Sequence, residues 1–296
     1  EFSYYFDVFE NYQKSDITGT KLIEKVEGEK PYIISDPMLY PIFDRSSPFT
    51  SPPVKGNLRL NTIGGQRWRL PGQWIEWKLN APEEGLYKIS LRTRQGGASG
   101  SYSERILYIN GEIPFKEAKN IRFDYSNKWV LSSLGDKNGD YLFHLKKGEN
   151  TFRLQNTTGN MTEYIQAIEE SLLILNSCYR QILMLTGPLP DPFRDYDFEK
   201  EIPEVIEEIG KQSLIISRIS DKVSIETGEK NLQIAILDRL SIQLREIHKN
   251  PDIISKSLNT FKDNVAALGT WVLVSRELPL EIDYILLSEP AYKLPP

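Results

Sequence analysis

Three loop segments place aromatic side chains among polar or charged neighbours, the mixture that sugar-binding surfaces use. The residues concerned are Arg67, Trp68, Arg69, Tyr102 and Trp129. A sugar packs its flat C–H faces on aromatic rings, and its hydroxyls hydrogen-bond to polar side chains. We therefore predict that these five residues form a shallow ligand-binding surface. A structural alternative stays open, in which Trp68 and Trp129 fill the ends of a hydrophobic core.

Residue patterns for catalysis are sparse. The two histidines, His144 and His248, have no Cys, Asp or His at metal-ligand spacing, and the HExxH, CxxC and GxSxG motifs are absent. Paired carboxylates, which glycosidases use, occur only on predicted helix surfaces or in a polar linker. Neither place offers the apolar surroundings that raise the pKa of a catalytic acid. The sequence therefore predicts no enzyme, and catalysis is the least supported of the three functional classes considered.

Composition narrows the class of protein. Hydrophobic residues make up 40% of the 296 residues, so a sizeable core is expected. A net charge of -5 with well-mixed signs leaves no basic face for a nucleic acid. No apolar run approaches the ~18 residues of a membrane span. The one cysteine, Cys178, excludes an intrachain disulfide and is expected to be a buried thiol. Because the chain begins at Glu1 rather than Met, we expect a fragment of a longer protein.

Short alternating runs between turn signals predict a β-sandwich or barrel in the first half of the chain. Residues 74–79 place apolar side chains on one face and charged side chains on the other. Asn110 and Gly111 form a strong hairpin signal, because both central residues of a type I′ turn need positive φ. Residues 141–154 predict a second hairpin around the turn at Gly148.

Apolar residues then recur every three or four positions in four segments, which predicts four amphipathic helices. After these helices, residues 279–287 predict a strand that has no neighbour in sequence. A lone strand is unstable, so it has to pair with the earlier sheet, and the bundle becomes an insertion. We predict the following organisation: an N-terminal helical or linker segment at 1–20, a β-sandwich at 21–160 and 275–292, and a four-helix bundle at 161–272.

Several motifs occur in the order found in galactose-binding-like carbohydrate-binding modules. They are residues 73–77 (QWIEW), 81–87 (APEEGLY), 108–111 (YING), 145–151 (LKKGENT) and 282–285 (IDYI). The sandwich resembles these modules, which implies a jelly roll within an α+β multidomain chain. It also implies a structural Ca²⁺ that Glu27 or Glu29 holds together with Asp283. An ordinary surface role for these acids stays open.

A second resemblance covers nearly the whole chain. Its motifs are residues 59–65 (RLNTIGG), 184–188 (MLTGP), 190–196 (PDPFRDY) and 267–271 (ALGTW). They resemble the amino-terminal region of large extracellular solute-binding lipoproteins, which serve ABC sugar importers of Gram-positive bacteria. The resemblance implies a place on the cell surface. It also implies two protein partners, the downstream solute-binding domain of the same protein or the ABC permease.

Two functional hypotheses result. The first is a non-catalytic carbohydrate-binding accessory region of a sugar-uptake protein. It would bind an oligo- or polysaccharide with an affinity on the order of 10⁻⁴ M or weaker, compensated by multivalency. The second is a structural or protein-interaction module without a sugar ligand. Exposure of Trp68 and Tyr102 distinguishes the two, because a sugar platform has to reach the surface.

Overall fold

The computed structural model describes residues 2–10, 12, 19–44, 46, 50–51, 60–97, 101–228 and 231–295. The chain divides into two units: residues 1–159 with 277–296, called unit 1, and residues 160–276, called unit 2. Unit 1 is built from β-strands and unit 2 from helices. The predicted α+β fold class, a β-sandwich with an inserted helical bundle, is confirmed. Parts of the sequence motifs lie outside the described residues, namely Arg59, the loop at 98–100 before Tyr102, and residues 13–18.

One sheet of unit 1 contains, in the described part of the chain, six antiparallel strands. They are β1 (Leu22–Glu27), β3 (Ile63–Gly65), β5 (Gly85–Gln95), β8 (Ser126–Ser133), β11 (Leu142–Leu145) and β13 (Leu280–Ser288). The strand that follows the helices in sequence, β13, lies between β1 and β5. The prediction that this strand pairs with the earlier sheet is therefore confirmed.

The second sheet of unit 1 has five strands among the described residues. In spatial order they are β2 (Ile33–Ile34), β4 (Trp74–Ala81), β12 (Gly148–Thr157), β6 (Tyr102–Ile109) and β7 (Ile121–Asp124). The remaining elements of unit 1 are a small ladder of β9 (Gly135–Asp136) with β10 (Gly139–Asp140), and the helix α1 (Tyr5–Glu10).

The predicted hairpin at residues 141–154 is wrong, because its two strands belong to different sheets. Strand β11 pairs with β5, whereas β12 pairs with β4 and β6. The Asn150 side chain accepts from the Lys146 nitrogen at 3.0 Å and donates to the Lys146 oxygen at 2.8 Å. These bonds hold a tight loop in which the chain crosses from one sheet to the other.

The core of unit 1 follows the predicted alternation. Ile75, Trp77 and Leu79 share one face of β4 and are fully buried. Asn110 and Gly111 both have positive φ, at 52° and 83°, so the predicted turn is present. After this turn the chain forms one antiparallel bridge, between Glu112 and Ile109, and no longer strand along β6. Strand β6 instead pairs with β12, and at residues 102–105 with β7.

A buried arginine connects the points where the chain leaves and re-enters unit 1. The Arg105 guanidinium, on β6, donates to Asn156 Oδ1 at 3.1 Å, to the Leu278 oxygen at 2.8 Å and to the Glu104 oxygen at 2.9 Å. It also lies 4.4 Å from the ring centroid of Trp68. Asn156 is near the end of β12, and Leu278 precedes β13. Burial lowers the pKa of Arg105 to about 9.

Unit 2 contains four long helices, which confirms the helices predicted from the apolar stripes. They are α2 (Thr162–Thr186), α4 (Pro203–Thr227), α5 (Leu232–Lys249) and α6 (Ile254–Arg276), with the short α3 (Phe198–Glu201) between the first two. Helix α4 packs against α5 and α2, and α6 packs against the same two helices. Cys178 is buried, as predicted, and burial raises the pKa of its thiol to about 11. Among the described residues, no helix is long and apolar enough to cross a membrane.

Helices α4 and α5 approach each other closely at Gly210. A Cβ added to Gly210 would lie 2.6 Å from Nδ1 of His248, a ring nitrogen that is itself 3.1 Å from the Ile206 oxygen. Glycine in a helix interior is less stable than alanine by about 1 kcal/mol. The close approach therefore gives a packing reason for a glycine at this position.

Candidate functional site

Two pairs of opposite charges meet on one face of the six-stranded sheet. Arg92 and Arg94 lie two residues apart on β5, and Glu281 and Asp283 lie two residues apart on β13. Side chains two apart in a strand point to the same face. Arg94 pairs with Glu281, and Arg92 pairs with Asp283, which is fully buried.

The Arg94 guanidinium is engaged at all three of its nitrogens. Its Nε donates to Glu281 Oε2 at 2.8 Å, its Nη2 contacts Glu281 and Asp44, and its Nη1 donates to Ser46 Oγ. Burial raises the pKa of Glu281 even though Arg94 opposes the shift. The arginine is therefore held in one orientation by two carboxylates.

Trp129 on β8 lies against this charge network. Its Nε1 donates to Asp44 Oδ2 at 3.1 Å, and the Arg94 guanidinium lies 4.8 Å from its ring centroid. Burial acts to raise the pKa of Asp44, but hydrogen bonds from Ser46 and Trp129 and the charge of Arg94 outweigh it and lower that pKa. Asp44 is therefore a carboxylate at neutral pH, and it fixes the half-buried indole.

A pocket of about 320 Å³ opens beside Arg94. Its described lining residues are Gly65, Gln66, Arg94, Gly96, Gly97, Asn127, Pro279, Leu280 and Glu281. A Cβ on Gly97 would lie 2.3 Å from Pro279 Cγ, and a Cβ on Gly65 would lie 2.8 Å from Glu281 Oε1. Glycine at both positions therefore allows Pro279 and Glu281 to pack directly against the backbone of the pocket wall.

Two of the predicted binding residues are buried. Trp68 is 0% exposed and donates from Nε1 to the Gln73 oxygen at 3.1 Å, and its ring packs 6.4 Å from that of Trp77. Tyr102 is 2% exposed, with the Arg122 guanidinium 3.9 Å from its ring centroid. The prediction that Trp68 and Tyr102 form an exposed platform is wrong, because Trp68 packs in the core and Tyr102 is covered on the opposite face of β6, beside Arg122. A sugar site of unit 1 therefore has to lie elsewhere than on these two rings.

The other predicted binding residues lie outside the core. The Arg67 guanidinium stacks 3.7 Å from the ring centroid of Tyr40, which is 45% exposed. Arg69 Nε pairs with Glu277 at 3.2 Å. Neither arginine is among the described residues that line the pocket. Three of the five predicted residues contact described lining residues of the pocket. Trp129 lies against Arg94, Arg69 Nη1 donates to the Gln66 oxygen at 2.8 Å, and the Trp68 nitrogen donates to the Gly65 oxygen at 3.0 Å.

Sequence reasoning did not single out Arg94, Glu281, Gln66 or Asn127. A usable signal was present for the first two. The β5 segment carries Arg92 and Arg94 at the positions between buried residues, and β13 carries Glu281 and Asp283 in the same spacing. Opposite charges with the same two-residue period in two strands indicate cross-strand ion pairs. The two amides gave no such signal.

The predicted calcium ligands show a mixed fit to a cation. Glu27 Oε2 and Glu29 Oε2 are buried and make no hydrogen bond with the described residues. Burial, together with the negative charge of nearby Glu27, raises the pKa of Glu29 to about 7. Asp283, however, is held by Arg92 and by the Ser51 nitrogen at 2.8 Å. No group of three or more His, Cys, Asp or Glu among the described residues is arranged to hold a metal ion.

Unit 2 has a groove of its own between α2 and α6, with a volume of about 400 Å³. It is lined by Leu172, Asn176, Tyr179, Lys262, Val265, Ala266 and Gly269. Apolar atoms dominate its walls, whereas polar and apolar atoms contribute about equally to the pocket of unit 1.

Residues 163–271 match the family model described as bacterial solute-binding protein, 4-helix bundle domain. Unit 2 is similar to this bundle domain. The match covers the four long helices and none of the strands. No curated protein matches the chain.

Several solved structures show low similarity to the chain. The cycloisomaltooligosaccharide glucanotransferase of Paenibacillus sp., complexed with cycloisomaltoheptaose, is 18% identical over 50% of this chain and 17% of that chain, with a TM-score of 0.33. A family 35 carbohydrate binding module from Clostridium thermocellum is 18% identical, and the match covers 46% of this chain and 88% of the module, with a TM-score of 0.32. CBM35 from Paenibacillus barcinonensis is 16% identical, and the match covers 46% of this chain and 88% of that module, with a TM-score of 0.33. These similarities are too low to assign a function.

Proposed function

We propose that unit 1 binds a carbohydrate through the pocket beside Arg94. The observation that carries this proposal is that two amide side chains and glycine backbone line one concave surface. The Gln66 and Asn127 amides line the pocket and make no side-chain hydrogen bond to the described residues, and three glycines complete the wall. An amide donates and accepts, as a sugar hydroxyl does, so the two groups are matched.

The proposed binding is non-catalytic. Glycosidases need two carboxyl groups flanking the scissile bond, one of them free to donate a proton. Glu281 is the one carboxylate among the described lining residues, and Arg94 occupies it. An isolated, ion-paired acid has neither the partner nor the freedom that this reaction requires.

A glycan array tests this proposal, with the wild type compared with Asn127→Ala and Gln66→Ala. We expect binding to one coherent class of sugars, weakened in both variants because each loses a hydroxyl partner. Glu149→Ala is the matched control, since Glu149 is exposed and pairs with Lys78 on another part of unit 1. A folded wild type that binds no glycan would contradict the proposal. It would favour the alternative of a protein-interaction module, for which the α2–α6 groove is the candidate surface.

We further propose that the chain is an amino-terminal part of an extracellular solute-binding lipoprotein of a Gram-positive ABC sugar importer. The match of residues 163–271 to the bundle domain of bacterial solute-binding proteins supports this proposal. The solute-binding domain of the same protein or the ABC permease would then be the protein partner. Protease treatment of intact source cells tests the location. We expect the full-length protein to be degraded, and protection until the cells are lysed would contradict it.

The third proposal is that Ca²⁺ binds at Glu27 and Glu29. The two orphaned carboxylate oxygens support it, because hard cations take oxygen ligands. Asp283 would join them only after it releases Arg92. Thermal unfolding with Ca²⁺, with Mg²⁺ and with a chelator tests the site. A midpoint that rises with Ca²⁺ is expected, since a ligand of the folded state stabilises it, and an unchanged midpoint would exclude the site.

A further inference from the structure

The charged groups of the pocket beside Arg94 indicate which class of carbohydrate it binds. This inference rests on the proposed carbohydrate binding. Arg94 is the one cation among the described lining residues, and Glu281 is the one anion. Asp44 lies behind Arg94 and pairs with it at 3.3 Å. One guanidinium thus faces two carboxylates, so these three groups together carry a net negative charge.

Arg94 is also unavailable as an anion receptor. A guanidinium recognises a carboxylate by presenting two parallel N–H groups to its two oxygens. In Arg94, the edge formed by Nε and Nη2 is occupied by Glu281, while Nη1 donates to Ser46 Oγ. A ligand carboxylate would have to displace Glu281, and it would enter beside two like charges.

The remaining polar groups among the described lining residues are uncharged. They are the amides of Gln66 and Asn127 and the backbone at Gly65, Gly96 and Gly97. A Cβ on Gly97 would lie 3.2 Å from Gln66 Nε2, so the amide sits directly over the glycine wall. These groups are suited to hydroxyls and offer no charge to a carboxylate or sulfate.

We infer that this pocket selects a neutral sugar and rejects uronic acids and sulfated sugars, because two carboxylates hold its only described arginine. The ion pair of Arg94 with Glu281 and Asp44 is then a specificity element. It positions the arginine as part of the wall and keeps the local charge negative.

The test compares matched pairs of oligosaccharides that differ only in a hydroxymethyl group or a carboxylate, such as glucose and glucuronic acid units. Calorimetric titration of the wild type should give tighter binding of the neutral member by about tenfold, the scale of a like-charge penalty at a partly exposed site. Because charge repulsion is screened by salt, the difference should shrink as the ionic strength rises.

Glu281→Gln tests the cause of this selectivity. The variant removes one carboxylate and frees an edge of Arg94, so the preference for the neutral member should fall or reverse. Glu149→Gln, remote from the described pocket residues, should leave it unchanged. Thermal unfolding verifies that both variants are folded, and the salt series on the wild type tests the inference without any substitution.

The outcomes separate this inference from the proposed function. Tighter binding of the uronate by the wild type would overturn the inference and leave carbohydrate binding supported. A neutral preference that neither Glu281→Gln nor salt alters would also overturn it, because charge would not be the cause. Binding of neither member, at any ionic strength and across the array, would overturn the carbohydrate proposal and the inference with it.

Discussion

The close approach of Gly210 to His248 predicts that the effect of Gly210→Ala on the free energy of unfolding depends on His248. The substitution should destabilise the wild type and stabilise a His248→Ala variant. In Gly210→Ala, the new Cβ would lie 2.6, 2.7 and 2.8 Å from three atoms of the imidazole ring. His248 is exposed, so its ring is able to rotate away from the new Cβ, but that movement breaks the contact between Nδ1 and the Ile206 oxygen. Overpacking of this kind costs about 1–3 kcal/mol.

Helix propensity acts in the opposite direction. Alanine is more stable than glycine in a helix interior by about 1 kcal/mol. Subtracting this gain from the overpacking cost leaves an expected net loss of about 0–2 kcal/mol for Gly210→Ala. In a His248→Ala background the conflict is gone, and the same substitution should stabilise unit 2 by up to about 1 kcal/mol.

The measurement is urea unfolding of the whole chain followed by far-UV circular dichroism, which reports the helices of unit 2. Gly269→Ala is the matched control, since its Cβ would meet Leu172 Cδ2 at an ordinary 3.7 Å. It should stabilise the protein in either background. Equal destabilisation by Gly210→Ala with and without His248 would refute the packing argument, because the two effects would then be independent.

Three further predictions concern unit 1. Trp68→Ala should destabilise it by about 3–5 kcal/mol, the range for a buried aromatic, and thermal unfolding measures the loss; a near-neutral effect would contradict the burial of the ring. Arg105→Met should also destabilise unit 1, by about 2–4 kcal/mol, because the Leu278 and Glu104 oxygens lose charge-assisted donors. Denaturant unfolding measures this loss, and an unchanged stability would show that the hydrogen bonds of Arg105 are dispensable. Burial raises the pKa of Glu29 to about 7 in the folded state, so the folded protein binds more protons than the unfolded chain and stability falls as pH rises from about 4.5 to 7. Glu29→Gln should remove about 1–2 kcal/mol of this decline after allowance for solvent screening, and Ca²⁺ should diminish it in the wild type. A stability profile of the wild type that is flat over this range, measured by thermal unfolding, would contradict that account.

The sequence predicted the elements better than their pairing. The apolar stripes located all four long helices, and the tail strand was assigned to the sandwich because a lone strand is unstable. The crossing at Lys146 and Asn150 was mistaken for a hairpin, since a loop of this length joins neighbours in one sheet as readily as strands in two sheets. A hairpin and a loop between two sheets differ in the long-range pairing of their strands. The local spacing of residues gives no information about that pairing.

The candidate site was harder to predict for a related reason. Trp68 lies between two arginines, a pattern that fits an exposed platform and a core position equally. Its ring turns inward, while Arg67 stacks on Tyr40 outside. A buried arginine, Arg105, packs on that ring, and the sequence has no sign of which arginine would do so. The described lining of the pocket combines residues 65–66, 94, 96–97, 127 and 279–281. Only the register of β3, β5, β8 and β13 brings these residues together.

The position of β13 has a consequence for the order in which the protein folds. This strand is hydrogen-bonded to β1 on one side and β5 on the other, but it is synthesised after the entire bundle. During translation the six-stranded sheet therefore lacks an inner member, and β1 and β5 each present an unpaired edge. The bundle, whose contacts are local, is able to form first, whereas the sandwich waits for its latest strand. Once the bundle has left the ribosome, and until residues 280–288 follow it, the nascent chain would carry a folded bundle and an open, aggregation-prone sheet.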